Sequence, residues 1–336
     1  MSRGWLLPLV PLYAAGASAK NLAYDREWLQ PHRLGWPVIS VGNLSVGGAG
    51  KTPLVIRLAE LLTSNLLTVD VLSRGYGRGS GIVKAVDPAG NATQFGDEPL
   101  LIARRAGVPV VVGADRYAAG LLAEKSLRPD VRAVHVLDDG FQHRRLARDA
   151  DVVVVHRSDL EERLLPAGRL REPVVSLKRA SIIVLREEDL DVEERLRKLG
   201  VVAPVWWMRR AIEVPPAAGR AVAFCGIARP QEFFRSLAAS GVSLAEATFS
   251  DHHRYTQKDM ELLLSRARAQ GASAFLTTEK DAVKLDASLR RQLEQSIPLH
   301  IVKLTVTLRD EAAIVADLQN RIAGGRQAVR HGPVRK

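Results

Sequence analysis

Lys51 and Thr52 end the run Val38-Ile39-Ser40-Val41-Gly42-Asn43-Leu44-Ser45-Val46-Gly47-Gly48-Ala49-Gly50-Lys51-Thr52, and their chemistry is that of phosphate binding. Glycines let successive backbone N–H groups turn toward one anion, a lysine reaches the outer phosphates, and a threonine hydroxyl can hold Mg²⁺. Ser45 stands where the usual spacing has its first glycine, so the loop is a variant. An apolar strand precedes it, and residues 53–62 follow with helical apolar spacing and Pro53 in the first turn. Ser45, Val46, Gly47, Gly48, Ala49, Gly50, Lys51 and Thr52 are therefore expected to cradle the phosphates of a nucleotide.

Acidic residues stand at positions that suit such a ligand. Asp138 and Asp139 close the apolar stretch Ala133-Val134-His135-Val136-Leu137, where phosphate-loop enzymes place the carboxylate that orients Mg²⁺. Gly96-Asp97-Glu98-Pro99 opens a helical run, and a carboxylate beside the γ-phosphate can take a proton from an attacking hydroxyl. In Asp251-His252-His253-Arg254-Tyr255-Thr256, adjacent histidines of an extended chain point to different sides, which argues against a joint metal site. One histidine turned toward a carboxylate across a cleft is the functional reading. The stretch Leu165-Pro166-Ala167-Gly168-Arg169-Leu170-Arg171-Glu172-Pro173 lies amid Arg157, Arg163, Lys178 and Arg179 and suits a phosphorylated ligand.

The elements that must position these groups read as an α/β protein. Short β-branched runs at 37–41, 67–72, 108–112, 133–137, 151–155 and 181–185 alternate with helical patterns, the signature of a mostly parallel sheet flanked by helices. Ligands gather at the carboxyl ends of such strands, where Ser73-Arg74-Gly75-Tyr76-Gly77-Arg78 and the Asp138 segment lie. A second, smaller α/β unit follows, with strands near 221–225, 244–249, 274–277 and 299–304 and helices at 231–239, 257–269 and 310–322. The expected organisation is an N-terminal membrane-interface segment at 1–30, a phosphate-loop core at 31–205, a linker at 206–218, the second unit at 219–324, and a disordered basic tail at 325–336.

The 336 residues carry 48 lysines and arginines against 37 acids, a net +11 that favours an anionic partner. No nucleic-acid recognition motif accompanies that charge, and aromatics are only 5% of the chain. A single cysteine, Cys225, excludes an internal disulfide and a cysteine-built zinc site. The apolar run 5–19 imitates a secretory signal, but export would part a phosphate loop from the nucleotide pool. Interrupted by Pro8, Pro11 and Gly16, it is also short of the about 20 apolar residues of a bilayer span. An interfacial helix fits it, with Trp5 and Tyr13 at headgroup depth and Arg3, Lys20 and Arg26 toward anionic lipid.

Together these motifs resemble the tetraacyldisaccharide 4'-kinase family nearly end to end. The resemblance rests on the loop from Val41 to Pro53 with its Ser45 variant, Ser73-Arg74-Gly75-Tyr76-Gly77-Arg78, Gly96-Asp97-Glu98-Pro99, Leu137-Asp138-Asp139-Gly140-Phe141-Gln142-His143, Asp251-His252-His253 and Thr277-Thr278-Glu279-Lys280-Asp281. It implies transfer of the γ-phosphate of ATP to the 4'-hydroxyl of a tetraacyldisaccharide 1-phosphate at the cytoplasmic face of the inner membrane, with Mg²⁺ and with no obligate protein partner. Carried over by position, Lys51 stabilises the transferring phosphate. Thr52 with Asp138 or Asp139, and with Glu98 beside them, organises the metal. Asp97 is the base and His252 its support, with His253 the other choice. Asn43, Arg74, Gly75, Arg116, Gln142, His143 and Arg171 are expected at the acceptor. Arg169 departs from the proline of many relatives. A phosphate-loop ATPase acting as a switch would use the same loop with no hydroxyl acceptor; phosphorylated lipid distinguishes the two.

Overall fold

The computed structural model describes residues 4–48, 50–126, 132–216 and 219–330. Its strands are β1 Val38–Asn43, β2 Thr68–Ser73, β3 Lys84–Ala85, β4 Val110–Val112, β5 Ala133–Asp138, β6 Ala150–Val154, β7 Ile182–Arg186, β8 Val205–Glu213, β9 Arg220–Cys225, β10 Ser243–Thr248, β11 Ala274–Thr278 and β12 Leu299–Leu308. They form one sheet in the order β10-β9-β11-β12-β8-β7-β6-β1-β5-β2-β4-β3. Pairing is parallel except at β3–β4 and β8–β12.

The β8–β12 pair corrects the expected linker: residues 206–213 are strand. Alternation explains it, because Trp206 and Met208 are buried while Arg209 is exposed, the period of a half-covered strand. β8 begins against β7 and ends against β12, and β12 begins against β11. Two long strands thus straddle both blocks of the sheet and weld them together.

Central strands are covered on both faces and read as apolar runs. Val152 and Val154 join one core while Val153 and Val155 join the other, the period of two made visible. The Lys51–Ser64 helix buries Leu54, Leu58 and Leu62 completely, one stripe against β1 and β2. Truncating any of these leucines to alanine should cost about 2–5 kcal/mol. The last helix, Glu311–Arg330, departs from expectation twice. Its Ile314, Leu318 and Ile322 stripe packs in the core of the first block, tied by Arg57 to Glu311 at 2.9 Å. It also runs on through Gly324 and Gly325, whose cost of about 1 kcal/mol each does not stop an established helix. Residues 331–336 of the expected tail lie outside the described set.

The N-terminus is a short 3₁₀ turn, Gly4–Leu9, continuing into the helix Val10–Asp25, and neither buries a residue. Trp5 is 80% exposed and Leu12 74%. Among the described residues no helix is long and apolar enough to cross a membrane. Arg3 lies outside the described set. Polar ties moor the helix to the sheet's carboxyl edge: the Tyr13 hydroxyl donates to the Arg171 carbonyl at 3.0 Å, Lys20 to the Gln142 carbonyl at 3.0 Å, and Arg144 pairs with Asp25 at 2.7 Å.

Candidate active site

β1 delivers the chain into the phosphate loop, and the loop turns because Gly47, Gly48 and Gly50 take φ of +82°, +51° and +85°, a region that L side chains rarely adopt. Ala49 lies outside the described residues. The loop's outer side is bound by the segment that follows Leu165. Val46 N–H donates to the Arg169 carbonyl at 2.8 Å, and the Arg169 guanidinium returns to the Val46 carbonyl at 3.0 Å. Arg169, where the resemblance led to the expectation of proline, therefore braces the loop. Ser45 is buried, its hydroxyl accepting from Asn43 at 3.3 Å.

Lys51 opens the helix and reaches back over the strand end, donating to Asn43 Oδ1 at 2.7 Å and pairing with Asp139 at 3.2 Å. Arg171 meets both Asp139 oxygens at 2.8 Å and Gln142 Oε1 at 3.1 Å, while Gln142 donates to the Asn43 carbonyl at 3.0 Å. Five residues expected from the sequence, Asn43, Lys51, Asp139, Gln142 and Arg171, thus form one hydrogen-bonded cluster. Asp138 and Asp139 part company because Asp139 has φ +53°, which swings its carboxylate toward Lys51. Burial would raise the Asp139 carboxyl, but Lys51 and Arg171 outweigh it and hold it near about 2. Asp138 feels the charge of Lys51 only as a minor influence. Burial, then the charges of Glu98 and Asp139, push it up to about 7, and the Ser73 hydroxyl donates to its Oδ2 at 2.8 Å. Its buried Oδ1 has no hydrogen-bond partner.

That orphaned oxygen suits a divalent cation, as does the hydroxyl of Thr52, the neighbour of Lys51, whose charge acts on Asp138. Among the described residues no cluster of three or more His, Cys, Asp or Glu could hold a metal by itself. Mg²⁺ is commonly held by one or two protein groups together with substrate phosphates, so a sparse site suits it.

Asp97 starts the helix Asp97–Ala106, where a carboxylate is favoured by the exposed N–H groups. Gly96 before it has φ +90°, and a Cβ there would lie 3.0 Å from the Tyr76 carbonyl, so the turn needs glycine. The second block supplies the partner: His252 Nδ1 lies 2.9 Å from Asp97 Oδ2. Burial raises the Asp97 carboxyl, yet the hydrogen bond from His252 and the charge of Lys280 leave it below its ordinary value. The same hydrogen bond raises His252. His253 is turned away, bonded to Asp259 at 3.0 Å and stacked on Phe249.

Glu98, expected beside the metal, pairs with Lys280 at 2.9 Å. Arg116 is buried at the first turn of its helix, its Nη1 donating to the Ala114 carbonyl at 2.7 Å; burial, then Arg74, lower it to about 10. His143 is lowered to about 4 by burial and by Arg116, Arg148 and Lys20, which makes its surroundings attractive to an anion. Arg74 is exposed, and Gly75, at φ +67°, packs against Gly96. A cavity of about 470 Å³ has Gly48, Lys51, Thr52, Glu98, Arg229 and Lys280 in its wall. Lys280 and Ser73 were not singled out from the sequence, although both lie in motifs that carried the resemblance.

The family model described as tetraacyldisaccharide-1-P 4'-kinase matches residues 2–323. The chain is 43% identical over 323 residues to a tetraacyldisaccharide 4'-kinase of Koribacter versatilis, covering 93% of this chain and 97% of that one. It is 42% identical over 304 residues to the enzyme of that name from Anaeromyxobacter dehalogenans, covering 82% and 80%. The crystal structure of Aquifex aeolicus LpxK in complex with ATP superposes with a TM-score of 0.75 at 32% identity, over 96% of this chain and all of that one. The chain belongs to the tetraacyldisaccharide-1-P 4'-kinase family and is a kinase of lipid A biosynthesis.

Proposed function

We propose that this protein transfers the γ-phosphoryl group of ATP to the 4'-hydroxyl of a tetraacyldisaccharide 1-phosphate, with Asp97 as the base. The hydroxyl oxygen attacks the γ-phosphorus, the bond to the β-phosphate oxygen breaks, ADP leaves, and the hydroxyl proton passes to Asp97. The observation that carries this reading is the 2.9 Å contact between Asp97 and His252, beside Glu98 and Lys280, which line one cavity with Lys51 and Thr52.

The loop amides and Lys51 bind the phosphates and stabilise charge that develops during transfer. Thr52 and Asp138 are the residues that would hold Mg²⁺, which when bound neutralises phosphate charge. Asp139, paired with Lys51 and Arg171, holds the lysine in place. His252 donates to Asp97 and keeps one carboxylate oxygen aimed at the acceptor. Asn43, Gln142, His143 and Arg171 form the acceptor side, with Arg116 and Arg74 adding positive charge nearby. The exposed Trp5, Leu9, Leu12 and Leu22 support a role for the N-terminal segment on the anionic cytoplasmic face of the inner membrane, where the acyl chains would stay while the sugar enters the site.

The test is purified protein with ATP, Mg²⁺ and detergent-dispersed tetraacyldisaccharide 1-phosphate, the product analysed by phosphorus NMR. A new phosphomonoester at the 4' position is expected. ATP hydrolysis with no phosphorylated lipid would favour a switch ATPase and overturn the proposal.

A further inference from the structure

We infer that Lys280 is a positioning residue for the transfer: its ammonium fixes His252 in the tautomer that carries its proton on Nδ1, facing Asp97. The inference rests on the reading of Asp97 as the base. Lys280 Nζ lies 3.4 Å from His252 Nε2 and 2.9 Å from Glu98 Oε1. Asp97 Oδ2 and Asp251 Oδ1 are each 3.9 Å from it. An ammonium has donors and no acceptor. The imidazole nitrogen that faces it must therefore offer its lone pair, which leaves the single ring proton of neutral imidazole on Nδ1. That nitrogen is the one 2.9 Å from Asp97 Oδ2.

Without the ammonium, the alternative tautomer gains an outlet, because Nε2–H would face the Asp251 carboxylate, whose Oδ1 lies 4.0 Å away. Nδ1 would then turn a lone pair on the Asp97 carboxylate, and the two would repel. Asp97 Oδ1 is separately held by the Glu98 N–H at 3.0 Å, so in the native arrangement each carboxylate oxygen has one donor and keeps a lone pair for the acceptor's proton.

The platform under Lys280 is built to hold it still. Its short helix, Glu279–Ala282, is capped by the Thr278 side chain, and the neighbouring Asp281 is fully buried. Asp281 accepts from Gly226 N–H at 3.0 Å, the Tyr255 hydroxyl at 3.0 Å and the Thr278 hydroxyl at 2.6 Å. Glu279 grips Arg105 in the last turn of the helix that Asp97 begins, at 2.6 Å between Nη1 and Oε2. Both ends of the Asp97 helix are thereby clamped to the element that carries Lys280.

The experiment uses the full chain labelled with ¹⁵N-histidine, whose long-range proton–nitrogen spectrum separates the two tautomers at a pH where the ring is neutral. The parent should show His252 protonated on Nδ1. Lys280→Met should shift it toward a mixture with Nε2–H, slow single-turnover transfer by about ten- to a hundredfold, as a misplaced catalytic group does, and leave ATP affinity within about twofold of the parent. Lys280→Arg, another donor-only cation, should restore the parent spectrum and part of the rate. If the methionine variant fails to fold, Lys280→Gln carries the same comparison. An unchanged His252 spectrum in Lys280→Met would overturn the inference, and so would an unchanged rate. A loss of ATP affinity that accounts for the rate would also overturn it, showing that the lysine binds phosphate directly. An Asp97→Asn enzyme as fast as the parent sinks the base assignment instead, since the spectrum reads the tautomer with no substrate present.

Discussion

The phosphate loop and the Asp97–His252 pair are built by different rules. Every side chain of the Asn43, Lys51, Asp139, Gln142 and Arg171 cluster comes from a strand end, a helix start or a loop of the first block of the sheet, and each holds another of the group. Asp97 comes from that block too, but His252, Asp251 and Lys280 come from the second. One station is therefore set by local folding, whereas the other exists only while the two blocks stay joined through β8 and β12. Binding of phosphate and readiness to move a proton should then be separable by mutation.

Lys51→Ala gives the largest effect expected. It removes the cation of the self-contained station and should lower turnover by about a thousandfold. Asp139 would keep Arg171, so far-UV circular dichroism should match the parent. A well-folded Lys51→Ala enzyme with full activity would dismantle the phosphate-loop side of the comparison.

Asp97→Asn should slow single-turnover transfer by about a hundredfold, since an amide of the same shape cannot take a proton, while ATP affinity holds. His252→Ala should act in the same direction, by about tenfold. Groups that work as a pair lose less together than the product of their separate losses. Multiplicative losses in the double mutant would mean that the contact across the blocks carries no coupling.

The self-contained station was the more legible of the two in the sequence, for a physical reason. A phosphate loop is local: strand, glycines, lysine and helix lie within one short run, and their spacing carries the geometry. The strands flanking it showed themselves by β-branched runs. β8 did not, because its two tryptophans, methionine and arginines run straight up to Pro215 and Pro216, which drew the whole stretch into the expected linker, and its half-covered alternation shows only in the structure. The choice between His252 and His253 turned on a backbone angle. At φ +57°, His252 bends the chain so that one ring reaches Asp97 while the next bonds Asp259 in the first turn of the following helix. The same device separates Asp138 from Asp139. Identical neighbours carry no spacing signal that tells them apart. Lys280 was hidden because its partners are remote in sequence, Glu98 being 182 positions away.

The aspartate pair offers a smaller test, on stability. Asp138 is raised to about 7, so its contribution is full below the ordinary carboxylate value and is lost as pH rises through about 7. Asp139, held at about 2, contributes above that ordinary value and loses its effect as pH falls through about 2. In metal-free protein at pH 8, Asp138→Asn removes a buried, incompletely bonded carboxylate and should raise the melting temperature by about 2 °C or more. Asp139→Asn strands Lys51 and Arg171 and should lower it. Scanning calorimetry from pH 5 to 8 reads both signs. Shifts of the same sign would mean that the two carboxylates share one environment.

The smallest effect expected is at Tyr13, where the N-terminal helix touches the self-contained station. The Tyr13 hydroxyl donates to the carbonyl of Arg171, the residue whose side chain holds both Asp139 and Gln142. Tyr13→Phe removes one partly buried hydrogen bond, about 0.5–1.5 kcal/mol, and leaves the ring in place. If the helix only brings lipid to the site, the loss should appear as a roughly two- to tenfold rise in KM for the micellar acceptor, with KM for ATP unchanged. Steady-state kinetics with each substrate varied separates the two. A matching rise in KM for ATP would show that the helix braces the Lys51 cluster as well, and the first station would then depend on the N-terminal helix instead of standing by itself.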